Sequence, residues 1–344
     1  MSVCLFTALA LIGFVGPLST YAQEKQSEAT IKVQTTLVSV PVIVSDRQGR
    51  YISDLKLQDF KLYQDRAEQA IAVFDATEEP LSVALLLDTS HSTKDVLGDI
   101  KKDAANFLKE LRPQDRAMVM SFDYDVRLLS ALTSDRKTLE RAIKDARVGE
   151  RGGTVLRGAV AQVIEGQFKR VEGRKAIILL TDGKDVGSHI TEQDLFDEAA
   201  ESGAMIYSIY FETEGRRQGW NAPPWPLPRR GRGGWGRRDP FPPQRPPDNR
   251  RRQRVEMRNG EAIAFLTELA EVSAGRFYSS KVSDLKKTFK LVAEELRHQY
   301  RLGFYPDSNK ADGRRHNLRV EVNLPDAIVR ARRSYQAAVA AAGS

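Results

Sequence analysis

Two nearly unbroken apolar runs, each ending in aspartate, restrict most strongly what this chain can fold into. Ser82-Val83-Ala84-Leu85-Leu86-Leu87 stops at Asp88, and Ala176-Ile177-Ile178-Leu179-Leu180 stops at Thr181-Asp182-Gly183. A strand with one face in water alternates apolar and polar residues. A strand without alternation has both faces covered, the condition of a parallel sheet between two layers of helices. Helical stripes lie around these runs. Val96, Ile100, Phe107 and Leu111 share one face, with Pro113 beyond its end, and Leu285, Phe289, Val292 and Leu296 are spaced 4, 3 and 4. Residues 139–146, 156–168, 195–202 and 261–272 also read as helices, and 117–122, 204–211 and 276–278 as strands. The alternation predicts an α/β fold over residues 80–298, doubly wound with a mostly parallel sheet.

The flanks, residues 30–79 and 299–336, have a different texture. Val38, Val40, Val42 and Val44 keep period two before the turn residues Asp46-Arg47-Gln48-Gly49, and Pro41 inside the run predicts an edge strand. Short strands are expected at Phe60–Tyr63 and Ala70–Phe74, around Gln64-Asp65-Arg66. Leu318, Val320, Val322 and Leu324 alternate with polar residues. Neither flank has enough strands for a core of its own, so the two are expected to pair into one small β-sandwich.

Residues 1–22 read as a secretory signal peptide. Val3 to Val15 is apolar apart from Thr7 and Gly13, and Thr20 and Ala22 are small residues at the cleavage positions before a polar run. No Lys or Arg precedes the apolar run, a departure from the usual form. The run is shorter than the ~20 residues of a membrane span, and no later segment reaches that length, so no transmembrane segment is expected after cleavage. The expected location is exported, periplasmic or extracellular. The sole cysteine, Cys4, leaves with the signal, which excludes disulfides and thiolate metal sites from the mature chain.

The formal charge of +7 is local. Between Gly215 and Arg254 stand 12 arginines, two acids, nine of the 15 prolines and all three tryptophans. The remainder is slightly acidic, which argues against a uniformly basic nucleic-acid-binding surface. Proline and charge repulsion predict a disordered insertion over 214–258. Two readings of it stay open. The arginines from Arg216 to Arg254 form an arm for an anionic polymer or lipid surface, or the segment is a tolerated loop whose charge aids solubility.

In an open parallel sheet the ligand crevice lies outside the carboxyl ends of the strands. Asp88 and Asp182 stand at two such ends, and Thr154, in Gly152-Gly153-Thr154, directly precedes a helix. Carboxylates, hydroxyls and water form an all-oxygen donor set suited to Mg²⁺. The alternative is that Asp88 and Ser90 merely cap the following helix.

These residues resemble the metal-ion-dependent adhesion site (MIDAS) of the von Willebrand factor type A (VWA) family. Asp88, Ser90 and Ser92 match its Asp-x-Ser-x-Ser motif, Thr154 the threonine of the second loop, and Asp182 the aspartate of the third. His91 departs from the glycine usual at that place. The layout from signal to C-terminal strands resembles the secreted bacterial VWFA-related proteins of acidobacterial type. The resemblance implies Mg²⁺ (or Mn²⁺ or Ca²⁺) held by Asp88, Ser90, Ser92, Thr154 and Asp182, some through water. It also implies a protein partner whose carboxylate completes the coordination, and a last helix, Leu285 to Arg297, able to shift with ligand.

Enzymatic readings find little footing. The four histidines (His91, His189, His298, His316) lack zinc-ligand spacing, no Gly-x-Ser-x-Gly frames Ser90, and no phosphate-binding glycine loop is present. Asp123 and Asp125 read as solvated loop acids. The function expected is therefore a non-catalytic, metal-dependent binding or adhesion module. Two alternatives stay open: an envelope assembly or scaffold subunit with a structural metal, and a polyanion binder acting through the arginine tract. Nucleic acid is not an expected partner.

Overall fold

The computed structural model describes residues 37–213, 249–306 and 313–337; the expected signal peptide and residues 214–248 of the insertion lie outside them. In chain order the strands are β1 (Val38–Ser45), β2 (Phe60–Gln64), β3 (Ala67–Gln69), β4 (Val73–Asp75), β5 (Leu81–Asp88), β6 (Arg116–Phe122) and β7 (Val126–Thr133). They continue with β8 (Arg174–Thr181), β9 (Ala204–Phe211), β10 (Arg276–Ser280), β11 (Gln299–Phe304), β12 (Arg315–Val322), β13 (Ile328–Ala331) and β14 (Ser334–Gln336). The helices are α1 (Leu97–Glu110), α2 (Arg136–Asp145), α3 (Leu156–Ala161), α4 (Glu192–Glu201), α5 (Asn249–Val272) and α6 (Leu285–Arg297).

Six strands form the central sheet in the order β10-β9-β8-β5-β6-β7. All neighbours are parallel except β6 and β7, so the α/β fold with a mostly parallel sheet is observed. Strands β5, β8 and β9 are buried along most or all of their length, which is why their sequences do not alternate. Val83, Leu85 and Leu87 face one core with Ile100, Leu139 and Phe289 of α1, α2 and α6. Ala84 and Leu86 face the other, with Leu156, Leu195 and Leu266 of α3, α4 and α5. Asp135 and Thr191 cap α2 and α4 by accepting backbone N–H bonds from Lys137 and Asp194, each cap being worth about 1 kcal/mol.

The flanking segments form two four-stranded sheets, β13-β1-β11-β4 and β14-β12-β2-β3. Each draws strands from both ends of the chain, and Val40, Leu62, Tyr300 and Val320 share one core, as expected of a small sandwich.

Three local expectations are corrected, and strands β3 and β7 are added. Strand β1 is not an edge strand; it lies between β11 and β13. Pro41 is tolerated because β13 pairs only with Val42–Ser45 and leaves the flank beside Pro41 open. Strand β7 was not foreseen: as an outer antiparallel strand with register shifts it is partly exposed and lacks an apolar run. Of the strand expected at Ala70–Phe74 only the end is extended, as β4 (Val73–Asp75), which joins the sheet of β11, while the unforeseen β3 (Ala67–Gln69) before it closes a hairpin on β2. Finally, α5 begins at Asn249, so residues 249–258 of the expected disordered insertion are helical. The Arg, Gln, Glu and Met from residue 250 onward favour helix despite the charge. Among the described residues, no helix is long and apolar enough to cross a membrane.

Candidate metal centre

The sheet winds outward in both directions from the β5–β8 pair, which makes this pair the switch point where an α/β fold leaves a crevice. Asp88 ends β5 and Asp182 directly follows β8, so the sheet register brings the two predicted carboxylates to adjacent strand ends. Both are buried, Asp88 at 0% exposure and Asp182 at 4%. Asp88 Oδ1 accepts the Ser90 amide at 2.9 Å, and Oδ2 accepts the Thr181 hydroxyl at 2.7 Å. Burial, and after it the negative charge of Asp182, pushes the Asp88 carboxyl above the usual carboxylate range.

The first loop does not follow the capping alternative. Residues His91–Thr93 form a single 3₁₀ turn, the Ser90 side chain makes no cap bond, and α1 begins only at Leu97. The Ser90 and Ser92 hydroxyls are instead left side by side, 3.1 Å apart. Thr93 holds the turn, its hydroxyl placed to donate to the carbonyls of Asp88 and Ser90. His91 is exposed. Thr154 is buried, and its loop is tied to the third loop by paired backbone bonds with Val186.

Several residues that support these loops were not singled out from sequence. Asp123 is not a solvated loop acid. It is 2% exposed, accepts the Thr89 hydroxyl at 3.0 Å and forms an ion pair with Arg127. Its carbonyl accepts the Val155 amide, so Asp123 links the first loop to the second. A Cβ on Gly149 would lie 2.4 Å from the Asp123 carboxyl carbon, so only glycine allows this approach. The available signal was positional: Asp123 follows its strand as Asp88 and Asp182 close or follow theirs. Asp125 is exposed, as expected. Asp182 Oδ2 accepts from Lys184 Nζ at 2.9 Å and from the Thr213 hydroxyl at 2.7 Å.

The donor set fits a hard cation. Adjacent oxygens around an octahedral ion with bonds of about 2.1 Å lie about 3.0 Å apart, close to the separation of the two serine hydroxyls. Among the described residues, no group of three or more His, Cys, Asp or Glu side chains is arranged to hold a metal ion. Any ion here would therefore rest on two carboxylates and neutral oxygens. Low ligand charge leaves such an ion electrophilic.

The open, mostly parallel α/β domain carries two buried carboxylates at its switch point, where such folds take their ligands. Residues 83–184 match the model of the von Willebrand factor type A domain, so the chain carries a VWA domain, a type in which metal-dependent binding through a MIDAS is frequent. No curated protein sequence matches the chain. Similar solved structures include proximal thread matrix protein 1 from the mussel byssus, at 14% identity and TM-score 0.46, over 74% of this chain and 50% of that one. Another is BatB from Bacteroides thetaiotaomicron, at 22% identity and TM-score 0.44, over 63% and 97%. A third is the vWF domain of the type V pili tip protein Mfa5 from Porphyromonas gingivalis, at 13% identity and TM-score 0.43, over 62% and 94%. The chain spans about half the length of the mussel protein, of which a further structure has a zinc-occupied MIDAS motif.

Proposed function

We propose that this protein is a non-catalytic, metal-dependent binding module of the secreted VWFA-related, acidobacterial type, exported to the periplasm or beyond the cell. The observation that carries the reading is the pair of buried carboxylates, Asp88 and Asp182, on neighbouring strand ends, with Ser90 and Ser92 paired through their hydroxyls in the loop after Asp88 and a buried Thr154 in the loop tied to that of Asp182. Two like charges in a dry site favour a bound cation, and the all-oxygen donors favour Mg²⁺, with Mn²⁺ or Ca²⁺ as substitutes. A bound ion would supply a concentrated positive charge able to attract an acid. The residues of the chain orient it: Thr181 and the Ser90 amide fix the Asp88 carboxylate, and Asp123 and Val186 hold the second loop. The partner is a protein that presents a carboxylate.

Calorimetric titration with Mg²⁺ tests the reading. The protein should bind one ion, and Asp88→Ala should abolish the heat. Equal heats in both, or none in either, would refute the metal site. Capture of a partner from envelope extract should be lost on adding EDTA; capture that survives chelation would favour the scaffold reading, with a structural metal.

A further inference from the structure

Asp182 already has a cation. The Lys184 ammonium lies 2.9 Å from Asp182 Oδ2, the oxygen that also accepts the Thr213 hydroxyl at 2.7 Å. Asp88, the other carboxylate, accepts from neutral donors, the Ser90 amide and the Thr181 hydroxyl. The Asp182 side chain is 3% exposed and that of Lys184 38%, so the ammonium reaches a buried carboxylate from the solvent side.

We propose that Lys184 is a built-in competitor for the divalent ion at Asp182, setting the affinity of the site and making it sensitive to salt. The proposal rests on the metal reading of the site. A carboxylate that draws on an ammonium has less to offer an ion. Binding must either displace Lys184 from Asp182 or leave two positive groups close together, and both routes oppose the metal. The opposition is bounded, because a lysine on a flexible stem with more than a third of its side chain in solvent is easily released. Its effect corresponds to about a three- to tenfold loss of affinity at low salt. The same exposure makes it screenable, so added salt weakens the competition while leaving the buried carboxylates less affected.

The experiment is Mn²⁺ binding to the full chain, read by the loss of free-ion electron paramagnetic signal, for the unaltered protein, Lys184→Gln, Lys184→Ala, Lys184→Arg and Asp88→Ala. Lys184→Gln and Lys184→Ala should both bind about three- to tenfold tighter at low salt. Lys184→Arg, which keeps the charge, should stay near the unaltered protein, and the gap should narrow as sodium chloride is raised. Equal or weaker binding by the Gln and Ala variants, in a series where only Asp88→Ala fails to bind, overturns the role of Lys184 and leaves the metal site standing. No binding by any of the five removes the metal site and this proposal together.

Discussion

Glu295 offers the sharpest test of how the α/β body is joined to the sandwich. It sits near the end of α6 with no solvent exposure, and one carboxylate serves three other parts of the chain. Tyr51, just beyond β1, donates its hydroxyl to Oε2 at 2.9 Å. Arg330 of β13 pairs with Oε1, and Arg276 of β10 approaches Oε2 at 3.3 Å. Glu295→Gln keeps the shape and removes the charge. Arg276 is 47% exposed, so losing its pair should cost less than about 1 kcal/mol. The Tyr51 bond falls from a charged to a neutral acceptor, a loss of about 1 kcal/mol. The larger part is Arg330, only 26% exposed, which keeps its guanidinium and loses its carboxylate, at about 2 kcal/mol. The total of about 3 kcal/mol lies at the lower end of the range for removing one partner of a buried pair. Urea unfolding followed by far-ultraviolet circular dichroism measures it. Tryptophan fluorescence is a poor probe, since Trp220, Trp225 and Trp235 all lie in the arginine tract. In a cycle with Arg330→Met, the double variant should be more stable than additivity predicts by at least about 1.5 kcal/mol. A loss below 1 kcal/mol for Glu295→Gln, or simple additivity, would refute the account.

Two further predictions concern single positions. Gly183 has φ +77°, and a Cβ there would lie 2.6 Å from Ala262 Cβ on α5, so Gly183→Ala should cost about 2 kcal/mol or more by thermal unfolding; adding Ala262→Gly should recover the steric part but not the backbone part. Burial, then the charges of Arg301 and Arg332, lowers the Lys175 ammonium from 10.5 to about 8. Below pH 8 both folded and unfolded chains carry the charge and the full penalty applies; as pH rises to 10.5 the unfolded chain sheds the proton it alone still holds, and the penalty disappears. Lys175→Met should therefore stabilise the protein at pH 7, by at most about 3 kcal/mol, with the advantage fading between pH 8 and 10.5. A pH-independent difference in unfolding midpoint would contradict this.

The central sheet was legible because burial on both faces removes alternation, and β5, β8 and β9 show that directly. The ends of those strands marked the crevice without any coordinates. Strand β7 escaped notice because pairing on one side only leaves it mixed in character. Pro41 misled because proline reports the missing N–H of one residue, whereas edge position belongs to the whole strand; a short neighbour meets the local need. Asp123 was missed for another reason. An acid in a loop is usually solvated, and its burial depends on Thr89, Arg127 and Gly149, which converge on it only in the fold. The ion pair of Lys184 with Asp182 is similarly a matter of side-chain placement, beyond what residue spacing specifies.

The same distinction governs how a binding event at the crevice could reach the rest of the molecule. The resemblance implies a last helix able to shift, yet the final residues of α6 are held from several directions. Arg174 donates to the Leu296 carbonyl, and Arg112 Nη2 to that of Arg297 at 3.2 Å. Arg174 also holds the carbonyls of Thr77 and Glu79, at 2.6 and 2.5 Å, between the first sandwich segments and β5. With the Arg330 and Tyr51 contacts of Glu295, four interactions with charged groups would break if α6 slid by a turn. At about 1.5 kcal/mol or more each, they oppose the shift by roughly 6 kcal/mol. A ligand can move an equilibrium only by its difference in affinity for the two states, so it would need to favour the shifted state by about 10⁴-fold or more. The arginines thus make α6 a strut between the α/β body and the sandwich. Response to ligand is expected first in the loops carrying Asp88, Thr154 and Asp182, where hydroxyls and one exposed lysine can rearrange at far smaller cost.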